Sequence, residues 1–210
     1  MIRRNGLSLF FLVVFVLALA GQSFAGLGAY NDDQLGSGGD PVSWGAYVTS
    51  ADFVVDVAEN WQSEYLQFLL FIVITVWLVQ RGSPESKTGE QGDEVRPGSP
   101  RWARVGGLRN MLFANSLGLV MGVTFVLSWY AQSVAGTAAY NREQLSQLQD
   151  PVTWPEYVAS PDFWDRTLQN WQSEFLAVLS MVALSIYLRQ RESPESKPVG
   201  APHEETGTDT

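Results

Sequence analysis

The chain is 210 residues long, with a formal net charge of −9, no cysteine and a single histidine, His203. The lack of cysteine excludes a disulfide framework, a thiolate metal site and thiol catalysis, and one histidine in a polar tail leaves little scope for imidazole chemistry or a His-rich metal site. An acidic chain is a poor match to nucleic-acid phosphates, and a charged fraction of 17% is below the quarter or so usual in soluble domains.

The first element is an apolar stretch from Leu7 to about Leu27. It is long enough for a helix across ~30 Å of hydrocarbon, which takes about 20 residues. Arg3 and Arg4 before it, and Ser23-Phe24-Ala25 near its end, also fit a secretory signal. The loop 28–60 follows, with no Lys or Arg but with Asp32, Asp33, Asp40, Asp52, Asp56 and Glu59. Ser50-Ala51-Asp52 predicts a helix start, from which a helix runs on into a second span at about 61–80. The apolar part of that span, Tyr65–Val79, is too short alone. It reaches across only if Asn60-Trp61-Gln62-Ser63-Glu64 also enters the membrane edge.

Residues 88–110 are rich in Gly, Pro, Ser and charge, and predict a flexible linker. A third span covers about 111–135, where Gly118 and Gly122 form a small-xxx-small pair for close helix packing. In the loop 136–170, Ser160-Pro161-Asp162 is a stronger helix start, with a Ser cap, Pro at the first position and an acid in the first turn. A fourth span occupies about 171–189, and residues 198–210 predict a disordered tail.

The two halves repeat each other. Asn5–Lys87 aligns without a gap on Asn115–Lys197, with about half the positions identical. Shared strings include Gln-Ser at 22 and 132, Ala-Tyr-Asn at 29 and 139, Asp-Pro-Val at 40 and 150, and Asn-Trp-Gln-Ser-Glu at 60 and 170. Ser-Pro-Glu-Ser-Lys stands at 83 and 193. The duplication argues that the first stretch is an uncleaved span, because its copy lies mid-chain. The predicted units are residues 1–87 and 111–197, joined by the linker 88–110.

All of the thirteen Lys and Arg except Arg142 and Arg166 lie at the N-terminus, within 80–110 or at the C-terminal end. The positive-inside rule then puts both termini and the linker in the cytoplasm and both acidic loops outside. The expected architecture is an all-α membrane protein. It has four transmembrane helices in two tandem, parallel two-helix repeats, with helical extensions on the extracytoplasmic side.

At helical spacing Asn60 and Glu64 share a face, as do Asn170 and Glu174. With Gln22 and Gln132 they predict a polar cluster at the membrane edge. A carboxylate there must face the bundle or water, which suits either cross-helix hydrogen bonds or a proton- or cation-sensitive site. No nucleophile–base pair or metal cluster accompanies it, so no catalytic residue, metal or cofactor is expected.

The combination Asn-Gly-Leu-Ser-Leu near the start, Tyr-Asn-x-x-Gln-Leu after the first span, Asn-Trp-Gln-Ser-Glu entering the second and Gln-Arg-x-Ser-Pro-Glu-Ser-Lys after it resembles an uncharacterised bacterial integral membrane-protein family, defined as a domain of unknown function. The resemblance implies a bacterial inner (plasma) membrane location and carries no catalytic residues. The expected role is a non-enzymatic structural or accessory membrane component, its partners being the lipid bilayer and a second copy or another membrane protein, without nucleic acid. The alternative is a small transporter or channel component in which Glu64 and Glu174 handle protons or cations.

Overall fold

The computed structural model describes residues 2–86 and 95–206, and these are helical without any strand. The helices are α1 (Ile2–Gly36), α2 (Trp44–Val48), α3 (Ala51–Ile74), α4 (Leu108–Ala114), α5 (Ser116–Ser146), α6 (Trp154–Val158) and α7 (Pro161–Tyr187), with a 3-10 turn at Arg101–Arg104. The predicted linker is therefore partly ordered, since Arg104 Nε donates to the Ser99 carbonyl at 2.7 Å. Positions 88–94 of that linker, and Lys87 before it, lie outside the described residues.

Two segments, Asn5–Gly36 in α1 and Ser116–Ser146 in α5, are long and apolar enough to cross a membrane. The expectation of four spans is met on this measure by those two alone. α3 and α7 fall short because, even past Asp52, Asp56, Asp162 and Asp165, the polar Asn-Trp-Gln-Ser-Glu takes up part of the length left to each helix. α3 also stops at Ile74, short of the expected 80. There the Thr75 hydroxyl donates to the Phe71 carbonyl at 2.6 Å, a local bond that competes with continued helix. α7 runs on to Tyr187, three residues beyond Leu184, the counterpart of Ile74.

The boundaries of the long helices also differ from expectation. Asn5 interrupts α1 at φ −127°, ψ 19°. Asn115, at φ −110°, ψ 10°, separates α4 from α5, and its Nδ2 donates to the Met111 carbonyl at 2.8 Å. The apolar helix expected to begin at about 111 therefore begins at Ser116. At their far ends α1 and α5 pass the expected Leu27 and Ala135 and stop at paired reversals. Gly38 has φ +80°, and Gly39 N–H donates to the Gln34 carbonyl at 2.8 Å and Gly38 N–H to the Leu35 carbonyl at 3.2 Å. This six-to-one and five-to-two pair caps a helix through one left-handed residue. Leu148, at φ +58°, closes the same pair of bonds after α5.

The chain forms two compact units, each drawn from both halves of the sequence. The first comprises Met1–Ala58 and Ala131–Ala159. In it the strings shared by the halves fasten each loop to its preceding helix. Asn31 Nδ2 donates to the Val42 carbonyl at 3.1 Å and Oδ1 accepts from Val42 N–H at 2.7 Å. Asn141 makes the same two bonds with Val152, both at 2.8 Å. Trp44 Nε1 donates to Ser23 Oγ at 3.0 Å, and Trp154 Nε1 to Ser133 Oγ at 3.0 Å. Tyr47 and Tyr157 are buried and close on glycines: a Cβ at Gly26 would strike the Tyr47 hydroxyl, and one at Gly136 would lie 2.6 Å from that of Tyr157. Burial and the nearby Asp56, Asp52 and Tyr30 raise the Tyr47 phenol above its ordinary pKa.

The start of α3 lies in this unit, and α7 starts in the other. Both helices begin at the expected serines: Ser50 Oγ accepts from Phe53 N–H and Ser160 Oγ from Phe163 N–H, each at 3.3 Å.

The second unit comprises Glu59–Tyr130 and Ser160–Thr210. Here Gly118 and Gly122 of α5 face α3, where added Cβ atoms would lie 4.0 Å from Val73 and 3.7 Å from Leu69. Trp129 stacks on Phe125 and Phe163, with ring centroids 5.5 and 6.2 Å apart, and meets Trp171 at 5.8 Å. Residues Pro198–Thr206, expected as part of a disordered tail, have specific bonds. The buried Lys197 Nζ donates to the carbonyls of Pro202, His203 and Glu205 at 3.3, 2.9 and 3.1 Å. Thr206 Oγ1 accepts from Gly82 N–H at 2.9 Å.

Candidate functional site

The sequence-predicted polar residues occupy different surroundings. Asn60 and Glu64 are exposed on α3, and Asn170 and Glu174 are half-buried on α7. Asn170 Nδ2 is held by the Arg166 carbonyl at 2.9 Å, and Glu174 lies within Coulombic reach of Glu64. These four belong to the second unit. Gln22, exposed, and Gln132, fully buried, belong to the first.

Inside the Asn-Trp-Gln-Ser-Glu segment the structure buries different members. Gln62 and Ser63 are 0% and 1% exposed, and Gln62 Oε1 accepts from Trp171 Nε1 at 2.8 Å. The Asn60–Glu64 face, expected toward the bundle or water, is exposed. The buried face is instead Val55, Ala58, Gln62 and Leu66, at i, i+3, i+7 and i+11. The signal was available in that mostly apolar spacing, which a helix places in one stripe. The counterparts Gln172 and Ser173 are exposed, so the same string serves two environments.

The acidic loops carry two basic residues, both in the second half, and both pair with acids of the first. Arg142 bonds Asp52 within the first unit, and Arg166 lies 3.6 Å from Glu59 within the second. Arg142 also stands over the Tyr30 ring, 5.0 Å from its centroid.

The Ser-Pro-Glu-Ser strings build a second polar region, in the second unit. In each, the last serine turns back to the glutamine before the motif: Ser86 Oγ accepts from Gln80 N–H, and Ser196 Oγ from Gln190 N–H, both at 2.9 Å. The first serine accepts from the glutamate N–H, Ser83 from Glu85 at 3.2 Å and Ser193 from Glu195 at 3.3 Å. These bonds make each string a closed turn that presents its glutamate.

Both glutamates border space between α3 and α7. A cavity of about 470 Å³ is lined by Gln67, Phe71, Phe175 and Val178 with Glu85 at its polar end. An adjoining one of about 320 Å³ shares Gln67, Phe71, Val178 and Glu85 and adds Glu195. Burial, reinforced by the facing Glu195 charge, holds the Glu85 carboxyl above the ordinary carboxylate range. The basic groups nearby are engaged elsewhere. Arg81 pairs with Glu204 at 2.7 Å, Arg189 donates to the carbonyls of Ser185, Ile186, Leu188 and Ala201, and Lys197 holds its three carbonyls.

Among the described residues no group of three or more His, Asp or Glu is placed to hold a metal ion. No curated protein and no solved structure matches the chain. A family profile, the domain of unknown function DUF6766, matches residues 1–208. The chain therefore belongs to the DUF6766 family.

Proposed function

We propose that the chain is a multi-pass protein of the bacterial inner membrane, with both termini cytoplasmic, that acts as a non-enzymatic structural or accessory component. In this reading α1, α3, α5 and α7 each cross the bilayer, as two parallel repeats with their acidic loops outside. The observation that carries it is the surface of α1, where the large apolar side chains from Leu7 to Leu17 are all exposed, Leu7 by 74% and Phe10 by 60%. Such a continuous uncovered apolar surface is foreign to water and suits lipid. With the Gln62–Glu64 turn at the membrane edge, α3 rises roughly 18 Å from Gln62 to Ile74 at 1.5 Å per residue, and in this reading the apolar, non-helical chain from Thr75 to Val79 covers the rest of the ~30 Å of hydrocarbon.

The accessory role is supported by the work of the shared polar residues. Ser23, Asn31 and Trp44, with Ser133, Asn141 and Trp154, bond backbone and one another. They hold loops in place.

The test combines topology and partners. Cysteines at Ser37 and Ser99 are probed in intact cells with an impermeant thiol reagent, and native membranes are solubilised for copurification. Labelling at position 37 alone, with stable membrane partners or a homo-oligomer and no ion flux in liposomes, is expected. Labelling at 99, or proton or cation flux by the purified protein alone, overturns the reading.

A further inference from the structure

We propose that the space between α3 and α7 binds an amphipathic organic ammonium ion, its apolar body against Phe71, Phe175 and Val178 and its charged head between Glu85 and Glu195. This binding site does not depend on whether α3 and α7 cross a bilayer.

Three independent features agree. The first is volume and lining: about 470 Å³ with an adjoining 320 Å³, mostly apolar, the usual make-up of a pocket for a small organic molecule. A hydrated metal ion would gain nothing from such walls.

The second is charge. Glu85 and Glu195 reach the smaller cavity from two different turns, and among the described residues neither has a cationic partner, because Arg81, Arg189 and Lys197 are bound as above. Glu85 is half-buried and Glu195 is exposed; two carboxylates at one cavity repel, and a cation relieves that repulsion.

The third is Gln67. It lines both cavities, and its buried Oε1 has no donor. A buried acceptor without a partner is costly, and an N–H of a primary or secondary ammonium would satisfy it. This asks for an ammonium rather than a quaternary or phosphonium cation.

The halves differ where the site needs them to. Position 67 is Gln in the first half and Ala177 in the second. The early end of α3 brings Thr75, Leu78 and Val79 into the cavity wall as non-helical chain, whereas the helix of the second half continues to Tyr187.

The test is titration calorimetry of the full chain in lipid nanodiscs, with empty nanodiscs as reference for partitioning. The probes are 4-phenylbutylammonium and its neutral isostere 4-phenylbutan-1-ol. Saturable one-to-one binding of the ammonium is expected, at least about ten-fold tighter than the alcohol, or about 1.4 kcal/mol. Glu85→Gln with Glu195→Gln should weaken it by at least about ten-fold, and Gln67→Ala, which installs the residue of the other half, by about three-fold. Val178→Trp should block the cavity and abolish binding with both acids intact. Helix content and the thermal transition confirm folding of each variant, and Gln67→Ala and Val178→Trp decide the matter if the double variant does not fold. Equal binding of the alcohol would mark an apolar slot for any hydrocarbon and overturn the proposal. So would unchanged affinity in the folded variants, or a signal no larger than that of empty nanodiscs.

Discussion

The turn after α1 and the turn after α5 close the same two hydrogen bonds, yet Gly38 makes the first and Leu148 the second. The turns that follow α3 and α7 repeat the contrast, with Gly82 at φ +84° in one half and Glu192 at φ +66° in the other. In each pair the backbone demand is identical and only one half has the residue that meets it without strain. A left-handed conformation costs an ordinary residue about 1–2 kcal/mol, and glycine avoids that cost. The comparison teaches that hydrogen bonding sets the backbone path of each turn. The halves then differ in how well their side chains fit it.

Exchanging residues between the halves tests this, and the largest effect is expected at Gly82. An added Cβ there would collide with the His203 carbonyl oxygen as well as strain the backbone. Gly82→Ala should therefore lower stability by about 2–3 kcal/mol, read as a lower thermal transition in detergent. Glu192→Gly should move the opposite way, by up to about 1 kcal/mol. A silent Gly82→Ala would mean that the Pro198–Thr206 segment does not pack as described.

Next in size is the asparagine clamp. Asn31→Ala and Asn141→Ala each remove two bonds to one loop residue and should each cost about 2 kcal/mol, at about 1 kcal/mol per bond. Near-equal losses in chemical unfolding are expected, because the bonding is the same in both halves. A large loss in one half only would break the comparison.

Leu148→Gly should be stabilising, by about 1 kcal/mol. Its side chain is 96% exposed, so no packing is lost, and a lowered thermal transition would show that the Leu148 side chain makes a stabilising contact.

The smallest effect concerns pH. Glu85 has a raised pKa in the folded chain, from burial and from Glu195, so folding favours its protonated form. Its contribution is neutral below the unfolded carboxylate pKa and becomes a penalty as pH rises through the raised folded value. Stability should therefore drop slightly on going from mildly acidic to neutral pH, and Glu85→Gln should flatten that slope. An unchanged slope in the variant would move the effect to another group.

The legible parts of this protein were local. Ser160-Pro161-Asp162 announces the start of α7 because capping needs only residues within one turn. The apolar runs of α1 and α5 are visible because length and composition are properties of the segment itself. The duplicated strings point to residues with common work, and in the first unit that work is the Ser–Trp and Asn–Val bonding. The polar cluster was less legible. Asn60 and Glu64 share a helical face as spacing dictates, but spacing cannot say which face a neighbour covers. Trp171, on a helix more than a hundred residues away, is what takes up Gln62. Likewise the composition of Pro198–Thr206 reads as a solvated tail, whereas the buried Lys197 ammonium takes the carbonyls of Pro202, His203 and Glu205 and Arg189 takes that of Ala201.

By itself, then, the sequence determined the helical class, the two strongly apolar helices, the capped helix starts and the loop motifs common to both halves. All of these rest on interactions within a turn or a segment. Tertiary structure decided where α3 ends, which glutamine is buried, how the tail folds and that Glu85 and Glu195 meet at one cavity. Those outcomes depend on groups distant in the chain competing for the same volume and the same hydrogen bonds. Two halves alike at about half their positions resolve that competition differently where they differ, as at Gln67 against Ala177 and Gly82 against Glu192.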